Sequence, residues 1–408
     1  MLRLIKVLKN TVLLFVLVLI SCGSKSNNEV LIEQENSQHA QDSVIVGANQ
    51  IAAILPQLEG KRVGIVANQT SVVFKADGYT HLVDSLLAHK VNVVRVFAPE
   101  HGFRGRADAG EIVEDGKDLK TGLPIISLYG KNKKPAFQDH DLDVIVFDIQ
   151  DVGVRFYTYI STLHYVMEAC AESNIPLVVL DRPNPNGHYV DGPTMESEHT
   201  SFLGMHPIPL VHGMTIAEYA LMINGEKWLN DGIQCELTLI FCQNYTHNTQ
   251  YSLPIRPSPN LPNDQAISLY PSLGLFEGTN INAGRGTEYQ FQRYGAPFLD
   301  PETMSFSYTP EANFGAKYPK HKNELCYGED LSNTVVSNKM TLKWIIKAYE
   351  NSTDKTKFFL TDGFTKHAGT TKLQKQIEAG MSEEAIKASW QKDLESYKST
   401  RNKYLIYD

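Results

Sequence analysis

The chain has 408 residues, 42% of them hydrophobic, and a formal net charge of −8 at pH 7. This acidic balance, with no basic cluster beyond the first ten residues, excludes nucleic acid as an expected partner. The length fits two domains better than one.

The first residues predict a secretory signal. Arg3, Lys6 and Lys9 precede an apolar run at residues 11–20, and a small residue follows. The run is shorter than the roughly 20 residues that a membrane-spanning helix needs. The pattern therefore favours a signal peptide over residues 1–21 rather than a spanning anchor.

Cys22 lies where a bacterial lipobox has its lipidated cysteine. We therefore expect a lipoprotein that is anchored to a membrane through Cys22 and lies in the cell envelope, facing the periplasm or the exterior. Residues 22–43 are rich in Ser, Asn, Gln and Glu, and they predict a flexible tether because they offer little apolar surface to bury.

Residues 44–225 alternate between strand and helix patterns. The apolar, β-branched runs predict strands at residues 62–67, 91–97, 125–128, 143–148 and 177–181. Predicted helices lie at residues 82–89, with Thr80 as the cap, along residues 160–170, and after the capping box of Thr215 and Glu218. Such alternation predicts an α/β domain, a parallel sheet with helices on both faces.

Residues 226–408 show a different pattern. One strand is predicted at residues 236–241, flanked by Cys235 and Cys242, and a disulfide between these two is a hypothesis. Residues 251–300 are dense in Pro, Gly and Asn and predict a long loop-rich segment. Helices are predicted at residues 342–350, 371–378 and 382–396.

Polar clusters follow the predicted strands of the first domain. They are Asn68-Gln69-Thr70, Glu100-His101, Asp148-Ile149-Gln150-Asp151 and Asp181-Arg182. Ligands of open α/β sheets bind outside the carboxyl ends of the strands, so these clusters predict one cleft. Gly102 after His101 allows the backbone to turn sharply there.

Several kinds of site lack their sequence signals. No G-x-G-x-x-G follows the first strand, and no G-x-x-x-x-G-K-[ST] occurs, so we predict no nucleotide cofactor. The histidines at 101, 188, 206 and 212 show no H-E-x-x-H spacing, so we predict no metal. No G-x-S-x-G elbow for a serine nucleophile is present.

Catalysis by paired carboxylates is the kind of site that remains after these exclusions. Cleavage of a glycosidic bond needs one acid for the leaving oxygen and often a second carboxylate. The candidate catalytic carboxylates are Glu100, Asp148, Asp151, Glu277 and Glu288, with His101 placed to orient Glu100. All of these carboxylates except Glu100 fit a structural role equally well: Asp148 can cap the next helix, for example, and Glu277 can pair with a nearby arginine.

The chain resembles the exo-β-N-acetylmuramidase family, long catalogued as a domain of unknown function. Eight stretches carry the resemblance, in chain order: residues 64–70 (GIVANQT), 99–103 (PEHGF), 148–159 (DIQDVGVRFYTY), 181–185 (DRPNP), 212–215 (HGMT), 257–262 (PSPNLP), 276–280 (FEGTN) and 284–287 (GRGT). One departure lies at residues 288–291, where the family pattern leads us to expect an Asp/Thr-rich segment that contains proline.

The resemblance implies a Rossmann-like parallel sheet domain followed by a smaller mixed α+β domain, with a cleft between them. It implies an enzyme that releases terminal N-acetylmuramic acid from the non-reducing ends of peptidoglycan fragments. The family's proposed catalytic glutamate corresponds to Glu100, which we interpret as the general acid/base.

An arginine can bind the lactyl carboxylate of muramic acid through two hydrogen bonds. Arg155, Arg182 and Arg285 lie in the matched loops and are the candidates. Other predicted substrate contacts in these loops are Asn68, Gln69, Tyr157, Tyr159 and Asn184, although the two tyrosines fit core packing equally well. The alternative function is a non-catalytic lipoprotein that binds cell-wall fragments. It needs the same arginines and aromatic residues but no acid.

Overall fold

The structure, a computed structural model, describes residues 43–105, 115–137, 141–336 and 339–408. Val46–Asp408 form one compact unit. The predicted signal peptide, Cys22 and all but the last residue of the predicted tether lie outside the described residues. Within the described ranges, no helix combines the length and the apolar character that crossing a membrane requires.

A seven-stranded sheet organises this unit. Its strands are β1 (Arg62–Ala67), β4 (Asn92–Ala98), β5 (Gly116–Lys117), β6 (Pro124–Ser127), β7 (Val144–Asp148), β8 (Leu177–Leu180) and β11 (Leu237–Ile240). Their order is β11-β8-β7-β1-β4-β6-β5, and all neighbours run parallel except β5 and β6. From β1 the chain adds strands first on one side and then on the other, which is a doubly wound α/β sheet. The predicted fold class is confirmed.

Both faces of the sheet are buried. In β7, Ile145 and Phe147 join one apolar cluster, while Val144 and Val146 join the other. Successive side chains of a strand point to opposite faces, so this strand has a continuous apolar run rather than an alternating one. The helices that cover the sheet and complete the unit are α1 (Ile51–Leu58), α2 (Leu82–Ala88), α3 (Tyr159–Ser173), α4 (Ile216–Gly225), α5 (Asp264–Leu273), α6 (Lys343–Glu350), α7 (Thr361–Ala368), α8 (Lys372–Glu378), α9 (Glu383–Ser389) and α10 (Gln391–Arg401).

The smaller sheets are antiparallel. Two hairpins pair β2 (Val72–Lys75) with β3 (Gly78–His81) and β9 (Asp191–Thr194) with β10 (Pro209–Val211). A three-stranded sheet has the order β12 (Arg293–Ala296), β14 (Cys326–Asp330), β13 (Phe306–Tyr308). This sheet supplies the strands of the mixed C-terminal region.

Strand predictions agree with the structure to within one or two residues, whereas some helix ends differ. The side chain of His81, not Thr80, caps α2 by accepting from the Val83 N–H. The helix predicted at residues 382–396 is two helices that meet at Trp390. The capping box of Thr215 and Glu218 forms as predicted.

The chain returns to the large sheet after the first predicted domain. Strand β11 pairs with β8 although it follows residue 225. At the C-terminus, the Tyr407 hydroxyl donates to Asp181 Oδ2 (2.7 Å), and the Ile406 N–H donates to Glu218 Oε1 (2.9 Å). The sheet therefore contains one strand beyond the predicted boundary at residues 225 and 226.

The hypothesis of a Cys235–Cys242 disulfide is wrong for this structure, in which both thiols are free. The Cys242 thiol donates to the Asp181 carbonyl, and Cys235 lies beside Cys170. The two cysteines have separate partners because β11 lies between them.

Candidate active site

A tight turn ends β4 and positions two predicted site residues. His101 and Gly102 have φ values of 69° and 75°, and the Gly102 N–H donates to the Pro99 carbonyl (3.0 Å). A left-handed conformation is uncommon for a residue other than glycine, and such residues occur often at functional sites. The turn leaves Glu100 half-buried and buries His101, whose Nε2 lies 3.2 Å from Ser258 Oγ.

Glu100 and His101 line a cavity of about 240 Å³. Segments from both halves of the chain line this cavity: Glu100, His101, Phe156, Tyr157, Thr158, Leu203, Ser258, Asn260, Leu261, Tyr270, Glu277, Arg285, Phe291 and His367. Its lining contains two glutamates and one arginine, all three predicted as site residues. The cavity is thus the candidate active site.

Two hydroxyl groups hold the Glu100 carboxylate. Thr158, the residue directly before α3, donates from Oγ1 to Oε2 over 2.8 Å. The Tyr129 hydroxyl also bonds the carboxylate, and burial together with the Glu100 charge raises the pKa of Tyr129. Tyr129 therefore stays protonated and acts as a donor. The two contacts fix the orientation of the carboxylate at the cavity.

Glu277 is the second carboxylate of the cavity. Its Oε2 lies 3.2 Å from Arg285 Nη1, and its side chain remains one-quarter exposed. Burial alone would raise the pKa of Glu277, but the positive charges of Arg285 and Lys320 outweigh burial and lower it. Lys320 is held close because its Nζ donates to the carbonyls of Phe276 and Glu277 (both 3.0 Å). Glu277 is consequently ionised at neutral pH.

Two further polar groups face the space between the carboxylates. Burial, and then the charges of Glu277 and Glu100, raise the pKa of Tyr270 well above its usual range, so its hydroxyl remains a donor. Asn260 Nδ2 donates to the Gly315 carbonyl (2.7 Å), while its buried Oδ1 has no hydrogen-bond partner within the described part of the chain. One donor and one acceptor are thus available to a ligand.

Asp148 and Arg182 do not line the cavity. Both side chains are buried, and Arg182 Nε and Nη2 donate to the two Asp148 oxygens over 2.6 and 2.9 Å. Arg182 Nη2 also donates to the Val72 carbonyl (3.0 Å). The predictions of a catalytic Asp148 and a substrate-binding Arg182 are corrected, because both side chains are buried, bond to each other and are absent from the cavity lining.

Arg155 is also buried and structural. Its Nη1 donates to the carbonyls of Pro193 (2.7 Å) and Ile208 (2.9 Å), and its Nη2 donates to that of His367 (2.9 Å). Burial lowers the pKa of Arg155 to about 9, so it is still charged at neutral pH. It joins three segments of the chain and offers no open face to a ligand.

The side chains of Asp151, Asn68 and Asn184 form hydrogen bonds with backbone groups of the loops. Asp151 Oδ2 accepts from the Gly153 N–H (2.6 Å) and lies 3.5 Å from His212 Nε2. Asn68 Oδ1 accepts from the Thr70 N–H (2.9 Å), and Asn184 Nδ2 donates to the Met214 carbonyl (2.9 Å). All three predicted site residues are buried and absent from the cavity lining.

The other predicted site residues differ in whether they lie at the cavity. Tyr157 lines the cavity and donates to the Pro257 carbonyl (2.6 Å), which Gln69 Nε2 also contacts (3.0 Å). Tyr159 is buried and packs against Tyr157 at 4.8 Å between ring centroids. Glu288 is exposed and is not among the lining residues.

The sequence predictions missed several residues of this site. Thr158, Ser258 and Asn260 lie inside the quoted motifs, so the motifs carried a signal for them. Tyr129, Tyr270 and His367 lie outside every motif, and only the fold brings them to Glu100 and Glu277.

Residues 63–265 match the N-terminal and residues 268–407 the C-terminal family model of the exo-β-N-acetylmuramidase NamZ. The chain belongs to the NamZ family. It is 38% identical over 427 residues to the peptidoglycan β-N-acetylmuramidase NamZ of Bacillus subtilis (strain 168), a match that covers 98% of this chain and 100% of that relative.

Two solved structures of DUF1343 family proteins from Bacteroides fragilis NCTC 9343 share the fold. One is 45% identical with a TM-score of 0.81, and the other is 28% identical with a TM-score of 0.76. Each match covers 90% of this chain and 99% of the other. NamZ family membership and the α/β architecture therefore rest on both sequence and structure.

Proposed function

We propose that this NamZ family protein is an exo-acting glycoside hydrolase that releases N-acetylmuramic acid from the non-reducing ends of peptidoglycan fragments. The observation that carries the proposal is the pair of carboxylates, Glu100 and Glu277, in one cavity. A small cavity suits a single terminal sugar. The Bacillus subtilis relative is a peptidoglycan β-N-acetylmuramidase, which supports the same substrate.

In this mechanism Glu100 is the general acid that protonates the leaving glycosidic oxygen. Thr158 and Tyr129 aim its carboxyl group. Glu277, ionised beside Arg285, stabilises the positive charge that develops on the sugar ring in the oxocarbenium-like transition state. Water then adds to the anomeric carbon, and its proton passes to Glu100, which restores the acid. His101 supports the turn through Ser258 and does not itself need to exchange a proton.

Arg285 is the proposed partner of the lactyl carboxylate. Among Arg155, Arg182 and Arg285 it alone lines the cavity. Its guanidinium contacts Glu277 and the Gly315 carbonyl, each over 3.2 Å, longer than the usual charge-assisted bond. A ligand carboxylate can therefore compete for its donors, and this contact would separate muramic acid from glucosamine substrates.

The test incubates the protein with the disaccharide of N-acetylmuramic acid and N-acetylglucosamine, and with nitrophenyl glycosides of both sugars. We expect equal amounts of the two sugars from the disaccharide and no nitrophenol from the glucosaminide. Release from the glucosaminide alone would point to another glycan. Binding of the disaccharide without any cleavage would support the non-catalytic alternative.

We also propose that the protein is anchored in the cell envelope through a lipid on Cys22. The apolar run before Cys22 supports this location. The test compares wild-type protein with Cys22→Ser in fractionated cells. We expect the wild type in the membrane fraction and the variant outside it, and equal membrane association of both would contradict the anchor.

A further inference from the structure

We propose that Tyr129, Phe202 and Tyr165, here called the aromatic wall, together with Lys133, form the subsite for the leaving portion of the glycan. This inference rests on the proposed function. The cavity binds the terminal sugar, so the rest of the chain must extend from the other side of the scissile bond. The wall begins at the carboxylate that would protonate that bond.

The wall is continuous with Glu100. The Tyr129 hydroxyl bonds the Glu100 carboxylate, yet Tyr129 is not among the residues that line the cavity. Its ring centroid lies 6.3 Å from that of Phe202, and Phe202 stacks on Tyr165 at 6.2 Å with an interplanar angle of 18°. All three side chains are half-buried. They form an apolar surface that leads away from the carboxylate.

A short turn fixes Phe202 beside the cavity. Ser201 and Gly204 exchange two backbone hydrogen bonds of 2.9 Å, with Phe202 and Leu203 at the tip between them. Leu203 lines the cavity while Phe202 belongs to the wall, so one turn serves both surfaces. Gly204 allows this position, because a Cβ there would lie 2.4 Å from the Met195 methyl carbon and 3.1 Å from Arg155 Cδ.

Lys133 supplies a positive charge over Phe202, the middle residue of the wall. Its Nζ lies 4.5 Å from the centroid of Phe202, and no carboxylate pairs with it among residues 43–105, 115–137, 141–336 and 339–408. The neighbouring Lys134 differs, because it pairs with Glu168 (2.8 Å) and Glu172 (2.6 Å). Lys133 can therefore bind an anionic group without breaking an ion pair.

This composition fits a specific leaving group. The flat apolar face of a glucosamine ring packs on aromatic side chains, and the next muramic acid carries a lactyl or peptide carboxylate. The wall would take the glucosamine adjacent to the scissile bond, and Lys133 would take the following carboxylate. The inferred preference is for glycans of at least four sugars over the disaccharide.

The experiment measures kcat/KM for three substrates: the methyl β-glycoside of N-acetylmuramic acid, the muramyl-glucosamine disaccharide and the corresponding tetrasaccharide. The methyl glycoside needs the same acid but has no ring for the wall. The variants are Phe202→Ala, Phe202→Leu, which keeps apolar volume, and Lys133→Met. Matched controls are Phe241→Ala, an exposed phenylalanine outside the cavity, and Lys343→Met, whose Nζ lies 4.8 Å from the Trp344 ring.

We expect both Phe202 variants to lose about tenfold in kcat/KM on the disaccharide and tetrasaccharide, with the methyl glycoside unchanged. Lys133→Met should lose about threefold on the tetrasaccharide alone, and less at high salt. Equal losses on all substrates, or none on the disaccharide, would overturn this inference while leaving the proposed function standing. A wild-type protein that cleaves none of the three would overturn both.

Discussion

Two carboxylate–arginine pairs show what separates a site from a scaffold in this protein. Asp148 and Arg182 are fully buried, and each Asp148 oxygen accepts one guanidinium N–H. Glu277 and Arg285 are each about one-quarter exposed and share one contact of 3.2 Å. Both pairs come from stretches that resemble the same family. Only the second pair is partly exposed and lines the cavity.

The largest expected effect is a loss of folding stability when the buried Asp148–Arg182 pair is broken. Asp148→Asn leaves a guanidinium buried without its counter-charge, which costs about 3–5 kcal/mol. Unfolding by urea, followed by circular dichroism, should show that loss. An equally stable variant would mean that the two residues contribute little to the fold, and the contrast between the pairs would fail.

A second effect concerns the buried Asp181. Burial, and secondarily the Glu218 charge, raise the pKa of Asp181 to about 6 although Tyr407 and the Ala217 N–H lower it. Because the folded state binds this proton more tightly than the unfolded state, Asp181 contributes stability below pH 4 that is lost as the pH rises through 6. The contribution is about 3 kcal/mol for a rise from an unfolded pKa near 3.9.

The measurement compares the free energy of unfolding of wild type and Asp181→Asn between pH 4 and pH 8. The free energy of unfolding of the wild type minus that of the variant should rise as the pH falls from 8 to 4, because only the wild type gains stability from protonation of Asp181. Parallel curves would contradict a raised pKa at Asp181.

At the open pair, Arg285→Met should change specificity. A hydrogen bond to a charged group is worth about 1.5–3 kcal/mol, so the preference for muramic acid over glucosamine glycosides should fall about 10- to 100-fold. The matched control is Arg62→Met, which removes an arginine paired with Asp143 at the other end of the sheet. Unchanged preference in Arg285→Met would remove this residue from the account of specificity.

The smallest expected effect on folding comes from Glu277→Gln. A partly exposed pair contributes about 0–1 kcal/mol, so stability should stay close to that of the wild type. Turnover should still fall, because the transition state loses its ionised carboxylate. Urea unfolding and a turnover assay on one preparation measure both, and a stability loss as large as that of Asp148→Asn would erase the contrast.

Local patterns predicted much of this fold. The apolar, β-branched runs marked strands β1, β4, β7 and β8 because most of the side chains in these strands are buried on one face of the sheet or the other. The position of Glu100 after β4 followed from the same pattern. Glu277 and Arg285 were recognised because both lie in short motifs, only eight residues apart.

The errors arise where a partner lies far along the chain. Arg155 was predicted to bind substrate, but it bonds the His367 carbonyl 212 residues away. Tyr129 bonds Glu100 from a segment without any motif. A sequence shows which groups need partners, whereas the fold decides whether the protein or a ligand supplies them.

The most direct test of the central claim is the turnover of Glu100→Gln on the muramyl-glucosamine disaccharide. The substitution keeps the shape and the contacts of the side chain but removes its proton donor. Glu59→Gln, at an exposed residue after α1, is the matched control. We predict that kcat falls about 100- to 10,000-fold in Glu100→Gln and not in the control. Near-normal turnover by a folded Glu100→Gln would contradict the account.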